Sequence, residues 1–141
     1  MLKGISPVLS PELLKILMEM GHGDELVIGD GNFPAASMAQ RLVRLDGHGV
    51  PTILDAIMQL FPLDTFVERP VALMQVVPGD GTLPVIWEDY KRIIGKYEGD
   101  VHIEEVERFA FYERAKKAYC CVATGERALY ANIILKKGVV I

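Results

Sequence analysis

The segment Glu19–Pro34 reads EMGHGDELVIGDGNFP, placing His22 between Gly21 and Gly23, and Asp30 between Gly29 and Gly31. Imidazole and carboxylate are proton-moving and hydrogen-bonding groups, and histidine is suited to exchange near neutrality because its unperturbed pKa is about 6.5. Glycine is entropically costly in regular structure, so its placement around two polar residues implies tight turns or a close approach of another group. The spacing therefore suggests a polar site on two consecutive loops, separated by the short apolar run ELVI. Each residue also has a plain structural use. Asp30 suits a turn or a helix cap, and His22 suits the surface at a helix end.

A second polar cluster lies in the last third of the chain, in ERFAFYERAKKAY and GERALYANIILKKG. Arg108, Phe109, Phe111, Tyr112, Glu113 and Tyr130 fit an amphipathic helix and a strand edge. They equally fit a site for a small polar ligand such as a sugar, because arginine offers a rigid fork of donors and asparagine offers both donor and acceptor.

Other chemistries find little support. His48 and His102 complete the three histidines, with no HxH or HExxH spacing, so no metal is expected. No GxSxG occurs, and the vicinal Cys120 and Cys121 have no activating neighbour in sequence; within AYCCVAT they read as strand core. GDGNFP resembles a dinucleotide turn only weakly, since Pro34 stands where the third glycine belongs. The acids Glu104, Glu105 and Glu107 read as a solvated strand edge. The 15 basic and 19 acidic side chains are interspersed, giving a net charge of −4, so no nucleic-acid footprint is expected. The N-terminus reads as no signal peptide, and nothing approaches the ~20 apolar residues of a membrane span. A reducing, cytoplasmic setting is expected for a chain with two unpaired cysteines.

The elements that must position these residues follow from periodicity and caps. Ser10, Pro11 and Glu12 open a helix whose Leu13, Ile16, Leu17 and Met20 share a face, and Gly21 is expected to stop it. ELVIG reads as a strand, PAASMAQRLVRL as a second helix and PTILDAIMQLF as a third. VALMQVV is a buried strand, LPVIWEDYKRIIGKY a helix, VHIEEVERF a strand and AFYERAKKA a short helix. YCCVAT and NIILKKGVVI supply the last strands. This alternation over 141 residues predicts one α/β layered domain with both faces of its sheet covered.

The residues quoted also carry a resemblance. MLKGISPVLSPELLKILMEMGHGDELVIGDGNFP, RFAFYERAKKA and TGERALYANIILKKGV resemble the L-fucose mutarotase and D-ribose pyranase family of sugar-anomer isomerases (RbsD/FucU), essentially from end to end. The resemblance implies a three-layer α/β/α single domain, residues 1–141, with a mixed central sheet. It implies a general acid at His22 and sugar contacts from Asp30, Arg108, Tyr130, Ala131 and Asn132. It further implies no cofactor, and a ring-shaped homodecamer with sites formed between neighbouring subunits. RFAFYERAKKA looks like the fucose branch, so the expected substrate is L-fucose. Ala131, where that branch is expected to carry glycine, is more like the ribose branch. A D-ribose pyranase, or a sugar-binding accessory protein without turnover, stays open as an alternative.

Overall fold

Alternation along the strands decides the architecture of the computed structural model, which describes residues 1–141. In β1 (Glu25–Gly29), Leu26 and Ile28 join one apolar cluster while Val27 joins another. In β5 (Cys120–Thr124), Cys120 and Val122 face the first cluster, and Cys121 and Ala123 face the second. Period-two side-chain direction therefore sends the adjacent thiols to opposite faces of the sheet. Both are buried and unpaired, and burial pushes them up to about 12 at Cys120 and about 11 at Cys121.

The remaining strands are β2 (Leu42–Leu45), β3 (Val71–Met74), β4 (Ile103–Val106) and β6 (Ile133–Lys136), in the spatial order β2-β5-β1-β6-β3-β4. β1 and β2 run parallel to β5, and β3 runs parallel to β4, whereas β6 lies antiparallel between β1 and β3. The sheet is mixed, as expected. The larger cluster packs α1 (Pro11–Glu19), α3 (Val50–Met58) and α4 (Ile86–Glu98) on one face. α2 (Ala35–Met38) and α5 (Arg108–Lys117) cover the other through Ala35, Phe111 and Ala115. The fold is the expected three-layer α/β/α arrangement. Full burial of side chains such as Leu26, Ile53 or Ile133 stabilises it by about 1.5–3 kcal/mol each.

Local chemistry sets several boundaries. The Ser10 hydroxyl accepts the Leu13 N–H at 3.2 Å and caps α1, with Pro11 in its first turn. The helix ends on an extended Met20, so Gly21 is not its left-handed stop; the positive φ of this turn, +88°, falls at Gly23. The expected long helix in PAASMAQRLVRL breaks after Met38, and its second half forms the edge strand β2. There the Arg41 carbonyl accepts the Cys121 N–H, and the Arg41 guanidinium stacks 3.8 Å over Tyr119. Sheet pairing outweighs helix propensity in that segment. β4 also ends earlier than VHIEEVERF suggests. The Glu107 carboxylate accepts the Ala110 N–H at 3.0 Å and caps α5, so Arg108 opens a helix rather than closing a strand. Glu104 is not merely solvated either, because Arg114 of α5 bridges it to Glu25 of β1.

α4 has a second task besides packing. Its buried Tyr90 hydroxyl donates to the Ala131 carbonyl at 2.7 Å, and Trp87 Nε1 donates to the Tyr130 carbonyl at 2.8 Å. Between them they hold the turn before β6, where Tyr130 has a φ of +56°. Side chains other than glycine adopt that region rarely and only when their surroundings over-determine it. Tyr90→Phe should therefore cost about 1–3 kcal/mol by stranding a buried carbonyl. Urea unfolding should show a lower midpoint with unchanged far-ultraviolet circular dichroism, and a midpoint equal to wild type would refute this role.

Candidate functional site

A cavity of about 220 Å³ opens beyond the carboxyl end of β1, lined by Asp30, Phe33, Arg108, Tyr112, Tyr130 and Asn132 among others. The sheet explains the gathering. Asp30 follows β1 and Met74 ends β3, while Asn132 precedes the antiparallel β6, whose start lies beside those ends. Arg108 arrives as the first residue of α5. Residues 102 positions apart then bond directly, the Asp30 N–H donating to Asn132 Oδ1 at 2.8 Å.

The Asp30 carboxylate accepts the Asn32 N–H at 2.9 Å, which makes the loop an Asx turn. Asp30 is 7% exposed, and burial raises its pKa above the ordinary 3.8. N–H groups of Asn32, Ala131 and Phe33 work against that rise. Such a group combines a strong acceptor with a low-dielectric setting, the condition in which a bound hydroxyl is gripped firmly. The Arg108 guanidinium lies 4.9 Å from the Phe109 ring centroid and 5.8 Å from that of Tyr112. Phe33 and Tyr112, with centroids 5.9 Å apart, form an apolar wall. The Tyr130 hydroxyl donates to Asp80 at 2.6 Å and accepts the Val77 N–H at 3.3 Å. Its bond to Asp80 is the first cause of the raised phenol pKa. Ala131 is fully buried in the larger apolar cluster, gives its carbonyl to Tyr90 and is not among the residues lining the cavity.

His22 stands elsewhere. It precedes β1 while Asp30 follows it, and five residues at about 3.3 Å each separate the two by roughly 17 Å. Its half-exposed ring meets the buried Asp64 at 3.0 Å, between Nε2 and Oδ1, and Phe66 at a centroid distance of 5.1 Å. The glycines framing Asp30 serve the protein's own packing, whereas Gly23 beside His22 serves a left-handed turn. A Cβ on Gly29 would stand 2.5 Å from the Phe33 ring, and one on Gly31 would stand 3.0 Å from the Glu126 carbonyl oxygen, which accepts the Gly31 N–H.

Sequence reasoning missed Asp64 and Asp80. Asp64 sits in FPLDTF, where nothing in the spacing links it to His22, 42 positions earlier. Asp80 belongs to PGDG, which reads only as a turn. No three or more His, Cys, Asp or Glu side chains converge into a metal-holding group, and no helix is long and apolar enough to cross a membrane.

The chain as a whole is similar to known proteins. Residues 3–140 match the RbsD / FucU transport protein family. An L-fucose mutarotase of Actinobacillus pleuropneumoniae is 57% identical over 140 residues, covering 99% of this chain and 97% of its own. The human fucose mutarotase is 51% identical over 144 residues, covering 98% and 94%. The crystal structure of the fucose mutarotase from Streptococcus pneumoniae in complex with L-fucose superposes with a TM-score of 0.96 at 53% identity, covering 99% and 100%.

The environment of Asp64 makes a prediction of its own. The Phe66 N–H first, and His22 with it, hold the Asp64 carboxyl below its ordinary 3.8. A carboxyl whose folded pKa is depressed stabilises the fold above its unfolded value, and that contribution is lost as pH falls through the folded value. Wild type should therefore be more stable than Asp64→Asn at pH 7, with the two melting curves converging as pH is lowered past 3.8. Thermal melts across that range check it, and a gap that widens on acidification would refute it.

Proposed function

This chain belongs to the RbsD/FucU family, and from that premise we propose that it is an L-fucose mutarotase, residues 1–141 forming one catalytic domain. It is an isomerase that interconverts the α and β anomers of the sugar through the open-chain aldehyde. Ring opening delivers a proton to the ring oxygen and removes one from the anomeric hydroxyl; closure on the other face of the carbonyl reverses both transfers. The observation that carries this reading is the cavity in which a buried carboxylate, a guanidinium, a phenol and an aromatic wall converge.

His22 is the general acid that protonates the ring oxygen, a contribution typically worth ~10²–10⁴-fold. Asp30 and Arg108 hold the sugar hydroxyls. Tyr130, or a water beside it, takes the anomeric proton, since its oxygen already has an outlet for its own hydrogen at Asp80. Asn132 fixes Asp30 through its backbone, and Ala131 supports the same turn from behind. Phe33 and Tyr112 give the methyl group of a 6-deoxy sugar a surface to pack on. The alanine that suggested ribose does not line the cavity, which weakens the case it makes for that sugar.

One chain holds His22 and the cavity at opposite ends of β1, and head-to-tail assembly supplies what the chain lacks. Phe66, 75% exposed, stands beside His22, while Phe109 and Leu129, 63% and 55% exposed, flank the cavity. A heterologous contact between these unlike surfaces closes into a ring when its rotation allows, in keeping with a homodecamer. The cytoplasm is the proposed setting, where thiols stay reduced.

Magnetisation-exchange NMR with L-fucose and D-ribose tests substrate and activity together. His22→Ala should lose the acceleration of anomer exchange while keeping its fold, and wild-type exchange in that variant would exclude the assignment. Arg108→Ala should raise KM far more than it lowers kcat; unchanged affinity with collapsed turnover would make Arg108 catalytic. Coassembling the two variants should restore about a quarter of wild-type activity at low sugar, because random mixing pairs an intact His22 with an intact Arg108 at one interface in about four. No recovery on mixing would show that each site lies within one subunit.

A further inference from the structure

We propose that Asp80 is a positioning residue for catalysis: it draws the hydroxyl hydrogen of Tyr130 out of the cavity, so that Tyr130 meets the anomeric hydroxyl as an acceptor and passes on one proton as it takes another. The inference rests on the reading of Tyr130 as the group that takes the anomeric proton, and adds to it a residue from the loop after β3.

That loop is built to aim a carboxylate. Pro78 and Gly79 stand at the two central positions of a turn, with a φ of +88° at Gly79 and the Asp80 N–H donating to the Val77 carbonyl at 3.0 Å, the pattern of type II. Asp80 Oδ1 then accepts two bonds from Thr82, from its N–H at 2.9 Å and its hydroxyl at 2.6 Å. Oδ2 is left for Tyr130, whose hydroxyl donates to it at 2.6 Å. The phenol is fixed from other sides as well. Val77 donates its N–H to the same oxygen at 3.3 Å, while Trp87 and Tyr90 hold the backbone of the Tyr130 turn. Val77, Asp80 and Tyr130 all line the cavity. None of Val77, Asp80, Thr82 and Tyr130 belongs to the buried core, so packing does not account for a bond between residues 50 positions apart.

Bonds from Thr82 and Tyr130 hold the Asp80 carboxyl below its ordinary 3.8, so near neutrality it is ionised and only accepts. The hydrogen of Tyr130 therefore lies toward Asp80, and the oxygen keeps a lone pair for a donor in the cavity. A phenol without this partner would turn its own hydrogen toward the sugar for part of the time, and two hydroxyl hydrogens cannot share one bond. As the ring opens, the anomeric O–H proton moves to Tyr130 Oη while the Oη–H proton moves to Asp80 Oδ2. The electron pair of the broken O–H bond becomes the second bond of the carbonyl. The bond from the anomeric carbon to the ring oxygen breaks, and that oxygen is protonated by His22. Closure runs the same transfers backwards, and all three side chains return to their starting states.

The test has two readouts. With ¹³C-labelled tyrosine rings, the Tyr130 signal is assigned by its loss in Tyr130→Phe, and its titration reports the bond. Asp80 raises the phenol pKa above the ordinary 10.0, against smaller opposing effects of the Val77 N–H and Arg108. Asparagine carries no charge to oppose the phenolate, so Tyr130 in Asp80→Asn should ionise at lower pH than in wild type. In magnetisation exchange with L-fucose, Asp80→Asn should lower kcat about tenfold with KM unchanged, the worth of one hydrogen bond made in the transition state. In the Tyr130→Phe background the same substitution should cost nothing further, because Asp80 acts only through the phenol. Wild-type kcat in Asp80→Asn, or an unshifted phenol, would overturn the proposal. An equal loss in the Phe background would also overturn it, by making Asp80 a prop for its loop, and a rise in KM alone would do so by moving Asp80 into sugar binding. Failure of the underlying reading looks different, because Tyr130→Phe itself would then exchange anomers like wild type.

Discussion

The pairing of β1 between parallel β5 and antiparallel β6 fixes its direction, and with it the distance between the polar loops that begin and end it. All five residues of the strand are committed to the ladder, so neither loop can approach the other without tearing the middle of the sheet. Everything proposed about catalysis inherits that constraint. On the proposed reading, the proton donor before β1 and the hydroxyl-binding cavity after it are two half-sites of one chain, and a second copy would present both to a single sugar. The contact that joins unlike ends is heterologous by construction, which is also the kind that generates rings.

Rigidity at the cavity end comes from polar groups that bond to each other across long stretches of chain. The Thr124 hydroxyl donates to the Gly29 carbonyl at 2.8 Å, and the Gly31 N–H reaches the Glu126 carbonyl, clamping the Asp30 loop to the end of β5. Asn132 holds the same loop from β6, while Tyr90 and Trp87 hold the strained Tyr130 turn from α4. Each bond contributes about 1 kcal/mol net, yet leaving any of these buried groups without its partner costs more. The arrangement keeps a buried carboxylate and a left-handed tyrosine in place, two features that a chain selected for stability alone would not keep.

Much of this was legible from the residues because local chemistry and tertiary structure agree. Ser10 and Pro11 announce α1, and the apolar spacing of PTILDAIMQLF matches α3 closely. The alternation of helical and apolar segments gave the layered sheet. Where the reading failed, a long-range partner decided. Leu42–Leu45 has the residues of a helix face, but β5 offers an open edge that captures it as a strand. The glycines around Asp30 marked real close approaches, although the approaching groups at Gly29 and Gly31 are Phe33 and Glu126, not a ligand, while of those around His22 only Gly23 is required, by its positive φ. Asp64 and Asp80 were invisible because a carboxylate in a loop carries no sequence signal of what it touches. Their partners are 42 and 50 positions away.

The proposed separation of the half-sites also fits the fact that His22 and Asp30 each have a partner within their own subunit. A histidine and a buried carboxylate placed side by side in an empty pocket would form an ion pair with each other, and a sugar would have to break that pair to bind. Here His22 is engaged by Asp64, and Asp30 by backbone N–H groups, so neither is free to neutralise the other. The proposed assembly would thus bring together an imidazole already bonded to Asp64 and an acceptor whose hydrogen bonds are already made. On that reading the electrostatic work of preparing the site is done by folding, before two subunits would meet, and little reorganisation would be left for a sugar to induce.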